Sequence, residues 1–325
     1  MAARVILTEA NRFRSLTAEP ECRFSWQHIF TLPDYIRVWL DSFYSHGELY
    51  RGAVQKGRHI IGAAPLIIQG QSASFIGHSS VCDYLDFSIA PGCETLFYEA
   101  LFDDLKRRGV KSVELRCLRP ESSVLTSFRK VVQSRGGSFC SEPDGVSMEM
   151  DLPETWEAYL EQLPGKQRHE IRRKTRRVEL FSDLDFRVID SPRPSEHEIN
   201  LFFRMFRLGR ADKNCFMNEE MESYFRRLIH GLGAAGVLKL YMLEVKGAII
   251  AASLCFDYRD TVFLYNSCYD PAYARLSPGA VCNVFSIKKS IEQGRKKYDF
   301  LKGTEPYKRH LGGHGVQLSK ARITI

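Results

Sequence analysis

A mixed α/β fold made of two similar copies is what this chain predicts, and three observations carry the prediction. Residues 237–245, 248–256 and 261–269 read as strands, a helix follows from Ser277, and residues 298–301 read as a further strand. The same punctuation occurs earlier. Lys56-Gly57 before the apolar run 59–68 recurs as Lys246-Gly247, 190 residues on; Pro91-Gly92 recurs as Pro278-Gly279 after 187; Gly109 before a strand at 112–118 recurs as Gly294 after 185. Offsets so nearly constant indicate an internal duplication. The third observation is length: 325 residues exceed one ordinary domain, so each copy can bury its own core. The expected domains are residues 1–150 and 151–325.

In the second copy the helix start is the informative element. Ser277 suits an N-cap, Pro278 the first helical position, and Gly279 leaves room for a close neighbour. Unbonded N–H groups and the positive end of the helix dipole then face an anion such as a diphosphate. Behind the cap, Ala280, Val284, Ile287 and Ile291 give one apolar face, and Gly294 ends the helix. In the first copy a helix from Pro91-Gly92 to Arg108 carries Glu94 in its opening turn, with Asp103 and Asp104 further on. That helix start is satisfied by its own carboxylate and repels phosphate, so the first copy is expected to serve the acceptor side, with Asp83 and Tyr84 in the 82–86 loop as its candidate surface.

Between the copies, residues 151–161 read as a capped helix, 166–179 as a basic helix, 185–189 as a strand, and 196–209 and 218–231 as two more helices. On the basic helix Arg168, Arg172 and Arg176 fall four apart on one stripe, a ridge that suits a phosphate-bearing substrate. His169 has no evident partner and reads as structural.

Hydrophobic residues make up 44% and charged residues 26%, which excludes a disordered chain. No apolar run approaches a membrane span, and the amino terminus has no signal pattern, so a cytoplasmic protein is expected. Nine cysteines without a Cys-x-x-Cys pair point to buried thiols and to no metal site. A net charge of +7 favours an anionic ligand without requiring nucleic acid.

Several motifs then come together in order. Leu163-Pro164-Gly165-Lys166-Gln167-Arg168 with Arg172-Arg173, Ala211-Asp212-Lys213 with Phe216-Met217 and Tyr224-Phe225, Ser277-Pro278-Gly279, and Tyr298-Asp299-Phe300-Leu301 through Tyr307-Lys308 resemble the CelD-like acetyltransferases of cellulose and exopolysaccharide biosynthesis, within the GNAT superfamily. The resemblance covers roughly residues 151–311 and implies tandem GNAT folds, distantly like the Fem-type ligases. It implies acetyl-CoA or another acyl-CoA as donor, with its pantetheine between splayed strands at 261–269 and 298–301. The diphosphate would meet Leu276, Ser277, Pro278, Gly279 and Ala280, and the thioester the strand at Tyr265 and Asn266. The usual glycine-rich phosphate loop is replaced here by a shorter segment, Arg275 to Ala280.

Acyl transfer to an amine needs a base, an acid for the leaving thiolate and a group that stabilises the oxyanion. Glu305 is the expected base and Tyr307 the acid; Asp299 is a further proton acceptor, Tyr265 a further acid, and Lys308 or Lys302 a stabiliser of negative charge. Arg168 and Arg172, with Asp83 and Tyr84, are the substrate-binding candidates. The expected acceptor is a small-molecule or saccharide amine. Two alternatives stay open: a Fem-like ligase taking an aminoacyl group from transfer RNA along the arginine ridge, and a non-enzymatic nucleic-acid-binding module.

Overall fold

The computed structural model describes residues 3–77, 80–209 and 218–325, so the 211–213 and 216–217 motif lies outside the described residues. The chain divides into unit 1, residues Met1–Val146 and Val316–Ile325, and unit 2, residues Ser147–Gly315. The boundary falls at Ser147 rather than Asp151, and the last residues go with unit 1 rather than with a 151–325 domain. Strand pairing is the reason: Ser319 to Thr324 run antiparallel to residues 112–118 of unit 1.

Unit 1 opens with β1 (Ala3–Leu7), α1 (Ala10–Ser15) and α2 (Pro33–Phe43), then the antiparallel β2 (Glu48–Lys56) and β3 (His59–Gln69). β3 reads as one apolar run because all but its two end residues are buried. β4 (Ser72–Phe75), β5 (Ser88–Ile89), α3 (Glu94–Arg107), β6 (Ser112–Leu118) and α4 (Arg129–Ser134) follow, β4 pairing with β6 in parallel over Ser72 to Ser74.

In unit 2 the distal end of β7 (Ser138–Asp151) leads to α5 (Trp156–Gln162) and α6 (Gly165–Glu179). α5 begins at Thr155, whose hydroxyl accepts the Ala158 N–H, later than the expected start at Asp151, which still belongs to a strand. β8 (Asp185–Ile189), α7 (Glu196–Leu208) and α8 (Glu219–Ala234) come next, α7 under a capping box of Ser195 and Glu198 and α8 under Asn218. The chain then runs β9 (Leu238–Val245), β10 (Ala248–Tyr258), β11 (Thr261–Tyr269), α9 (Pro278–Glu292), β12 (Lys297–Lys302) and α10 (Pro306–His310), and β13 (His314–Thr324) belongs to unit 1 from Val316 on. Lys246 and Gly247 are both left-handed, as a two-residue hairpin requires.

α9 seats Val281, Val284, Ile287 and Ile291 against the sheet, each burial contributing roughly 1.5–3 kcal/mol. Its polar buried residues are bonded: Ser253 Oγ lies 2.8 Å from Asn283 Oδ1, and Ser286 Oγ lies 2.7 Å from the Tyr298 hydroxyl. The duplication is visible in backbone geometry. Gly92 and Ser277 are left-handed 185 residues apart, Gly109 and Gly294 again 185 apart, and Cys117 and Leu301, rare left-handed strand residues, 184 apart.

Candidate active site

β11 and β12 pair in parallel only over Thr261 to Phe263 and Lys297 to Asp299. Beyond that the strands part. On β11, Tyr265 is the extra residue of a bulge opposite Leu254 and Cys255, and on β12 the register shifts between Asp299 and Leu301 against β7. The bulge at Tyr265 places its hydroxyl 3.3 Å from that of Tyr224, with its ring against Phe225 and Phe256. Asn266 remains in the ladder opposite Leu254.

The start of α9 is built differently from the expectation. Ser277 makes no side-chain cap; it is left-handed, at φ 55°, because a 3-10 turn over Pro271–Leu276 must reverse before the helix begins. Its N–H bonds to Ala274 O and its carbonyl accepts the Val281 N–H. A left-handed serine costs about 1–2 kcal/mol. Pro278 has no N–H, and among the described residues neither the Gly279 nor the Ala280 N–H has an acceptor. Gly279 answers to a neighbour as well as to a ligand: a Cβ there would lie 3.1 Å from the Tyr269 ring.

A pocket of about 540 Å³ lies at this helix start, with Ala280 in its lining. One wall is α6, through Lys166, Gln167, His169, Glu170, Ile171 and Lys174; the other is Ala280, Val281 and Val284 of α9, with Tyr307 and His310 of α10 and Leu311 just after it. The α6 wall is fastened at Arg177, whose guanidinium donates to the Arg275 carbonyl at 2.6 Å. Burial, reinforced by the Glu305 charge, pushes the Tyr307 phenol well up, so it carries its proton at neutral pH. Glu170 takes two hydrogen bonds from Arg173, at 2.8 and 2.7 Å, which chiefly hold its carboxyl down to about 2.

The other expected site residues are placed as follows. Asp299 is 1% exposed, and its carboxylate accepts the N–H of left-handed Leu301 at 2.7 Å, a bond that holds the β12 bulge. Lys308 is 3% exposed and donates to the carbonyls of Leu301, Lys302 and Gly303. Glu305 is exposed, folds over Gly303 and pairs with Lys308 at 3.0 Å; the pocket lining does not include it. Arg168 and Arg172 are on α6 but off the pocket, and with Arg176 their side chains have no ion-pair partner among the described residues. Tyr84 is buried in unit 1 under the Arg119 guanidinium, 4.9 Å from its ring centre, and Asp83 beside it is half-buried.

Gln167, His169, Lys174 and His310 were not singled out as pocket residues by the sequence. The signal was available for two: Ile171 and Val178, the apolar anchors of α6, mark its inward face, and Gln167 and Lys174 lie on that face four and three residues from Ile171.

Residues 165–309 match the family model of the acetyltransferase (GNAT) domain, so this segment is a GNAT-type domain and the protein an acyltransferase; a non-enzymatic nucleic-acid module falls away. The fold is shared with a crystal structure of FemX, at 10% identity and TM-score 0.67 over 98% of this chain and 96% of that one. A conserved protein of unknown function from Bacteroides thetaiotaomicron aligns over 99% of both chains at 12% identity and TM-score 0.64. The C-terminal domain of a putative lysylphosphatidylglycerol synthetase from Agrobacterium fabrum aligns over 88% of this chain and 86% of that one, at 11% and 0.58. No curated protein sequence matches the chain significantly. Among the described residues, no helix is long and apolar enough to cross a membrane.

Proposed function

We propose that unit 2 binds acetyl-CoA or another acyl-CoA and transfers the acyl group to an amino group of a small molecule or saccharide precursor. The observation that carries this reading is the start of α9, where among the described residues neither the Gly279 nor the Ala280 N–H has an acceptor and where Ala280 lines the pocket at the positive end of the helix. The thioester arm then follows the gap where β11 and β12 separate. The amine nitrogen attacks the thioester carbonyl carbon, the C–S bond breaks, and the Tyr307 hydroxyl protonates the departing thiolate. Glu305, ion-paired with Lys308, is the proposed acceptor of the ammonium proton. Asp299 and Lys308 hold the β12 bulge and the turn after it, so their contribution is to position Tyr307. Unit 1, with Asp83 and Tyr84 in its core loop, is the proposed acceptor-side domain, and the saccharide reading of the acceptor draws on the CelD-like resemblance. Calorimetric titration with acetyl-CoA tests the reading: saturable binding supports it, and no heat at millimolar ligand ends it.

A second reading has one observation in its favour. Arg168, Arg172 and Arg176 form a ridge without counter-ions among the described residues, as aminoacyl transfer from transfer RNA would use. Binding of RNA that weakens steeply with salt, together with no affinity for acetyl-CoA, would select it.

A further inference from the structure

The α6 helix presents two different sets of polar groups. The arginine ridge lies off the pocket, whereas Lys166, Gln167 and Lys174 line it. The inward set is unbalanced in charge. The carboxylate in the wall is that of Glu170, and it is held by Arg173; its distance to Lys174 Nζ is 3.4 Å, longer than either Arg173 bond. Lys174 is 27% exposed, within the wall yet reachable from the cavity, and Lys166 has no partner among the described residues. Across the cavity stands the helix start that brings no carboxylate in its first turn. Gln167 adds an unmet requirement: its side-chain oxygen is buried and accepts no hydrogen bond. A buried amide oxygen left unbonded is destabilising, and a ligand N–H that reaches it relieves that cost. Around these groups the lining is apolar, through Ile171, Val281, Val284 and Leu311.

We infer that α6 is the second half of the donor site: Lys166 and Lys174 hold the phosphates of a CoA thioester, and Gln167 accepts an amide N–H of its pantetheine arm. The inference rests on the acyl-CoA reading and assigns that ligand to residues on a helix outside the strand–helix–strand unit. It also gives a physical account of the short loop from Arg275 to Ala280. With two free amides in place of a glycine-rich series, the chain supplies the remaining positive charge from lysines on a helix that Arg177 fastens to the same loop. Gln167, being next to apolar groups, suits the uncharged arm, and the lysines suit the end that carries charge.

Two ligands separate these roles: acetyl-CoA, and acetyl-pantetheine, which has the arm and the thioester but no phosphate. Calorimetry on the full-length chain is expected to show that Lys166→Gln with Lys174→Gln weakens acetyl-CoA at least 10-fold and leaves acetyl-pantetheine unchanged, that Lys174→Arg alone retains most of the affinity, and that Gln167→Leu weakens both ligands alike. Lys130→Gln, an exposed lysine on α4 outside the pocket lining, is the control and is expected to bind as wild type does. Equal melting temperatures show that the variants fold. Wild-type affinity for acetyl-CoA in the double lysine variant overturns the inference while leaving the acyl-CoA reading standing; a wild-type protein that binds no CoA thioester overturns the reading itself.

Discussion

The two helix starts, α3 in unit 1 and α9 in unit 2, descend from the same backbone pattern and have opposite electrostatics. Each follows a left-handed residue, Gly92 or Ser277, and each ends before a left-handed glycine, Gly109 or Gly294. At α3 the Glu94 carboxylate turns back on the Gly92 N–H at 3.1 Å, so the positive pole is neutralised from within. At α9 no acidic residue occupies the first turn, and two amides remain open. Asp103 and Asp104 have no part in this difference, because they pair with Arg135, Arg107 and Arg108 towards the other end of α3. One carboxylate therefore separates a helix start that carries its own negative charge from one that carries none.

Transplanting that carboxylate breaks the comparison most directly. Ala280→Glu places an acid in the first turn of α9 at a pocket-lining position, where the helix dipole tolerates it and a diphosphate does not. A repulsion of about 4 kcal/mol at contact in a partly screened site predicts a loss of acetyl-CoA affinity on the order of 1,000-fold, with an unchanged or raised melting temperature. Retained affinity would show that the α9 start is not the anion site.

Unit 1 offers the next contrast, because its buried acid is uncompensated. Asp86 is 9% exposed, and burial raises its carboxyl to about 7, with hydrogen bonds from Ser122 and the Phe87 N–H offsetting part of the effect. The folded form thus keeps a proton that the unfolded chain releases near the ordinary aspartate value. Between about pH 4 and pH 7 the folded state binds more protons, so its stability is fully present at the acid end and declines as pH rises, by about 3–4 kcal/mol. Thermal melts across that range are expected to show this decline, and Asp86→Asn to flatten it. A wild-type profile with no such slope would place the charge of Asp86 elsewhere.

Tyr307→Phe comes third and sharpens the chemistry. Removing a phenol that stays protonated beside the pocket is expected to lower kcat about 100-fold with little change in KM, the usual contribution of a general acid. A fall confined to KM would make Tyr307 a binding group.

How much of this was legible in the sequence depends on whether a residue's partner is near it in the chain. The duplication, the strands of both copies and the Ser277 to Gly294 helix follow from local periodicity and punctuation, and the contrast of Glu94 with an acid-free start is readable from the residues of one turn. Ser277 was misread in detail, because its role is set by the 3-10 turn before it and not by its hydroxyl. Tyr298, Asp299 and Lys308 carry the residue types of a catalytic cluster, yet their polar atoms serve Ser286, the Leu301 N–H and a row of backbone carbonyls. No pattern in the chain announces that Leu301 is left-handed, and that single dihedral recruits both Asp299 and Lys308 to hold the chain around it.

Lys308 therefore distinguishes a structural cation from a catalytic one. In Lys308→Met the methionine fills the space but donates nothing to the carbonyls of Leu301, Lys302 and Gly303, and the expected cost is about 2 kcal/mol of stability with a proportionate loss of activity. If turnover per folded molecule fell far more than stability, Lys308 would be touching the reacting atoms instead.

Glu305→Gln is the smallest expected effect and the one that decides between two sources of the free amine. Glu305 is exposed, ion-paired with Lys308 and outside the pocket lining. A loss of less than about 10-fold in kcat/KM at neutral pH, shrinking further as pH rises, means that the acceptor amine arrives unprotonated and that Glu305 assists only while a proton remains to be removed. A loss of about 100-fold that persists at high pH would instead move Glu305 into the reacting centre, and Gly303, over which its carboxylate is folded, would then be the hinge that brings it there.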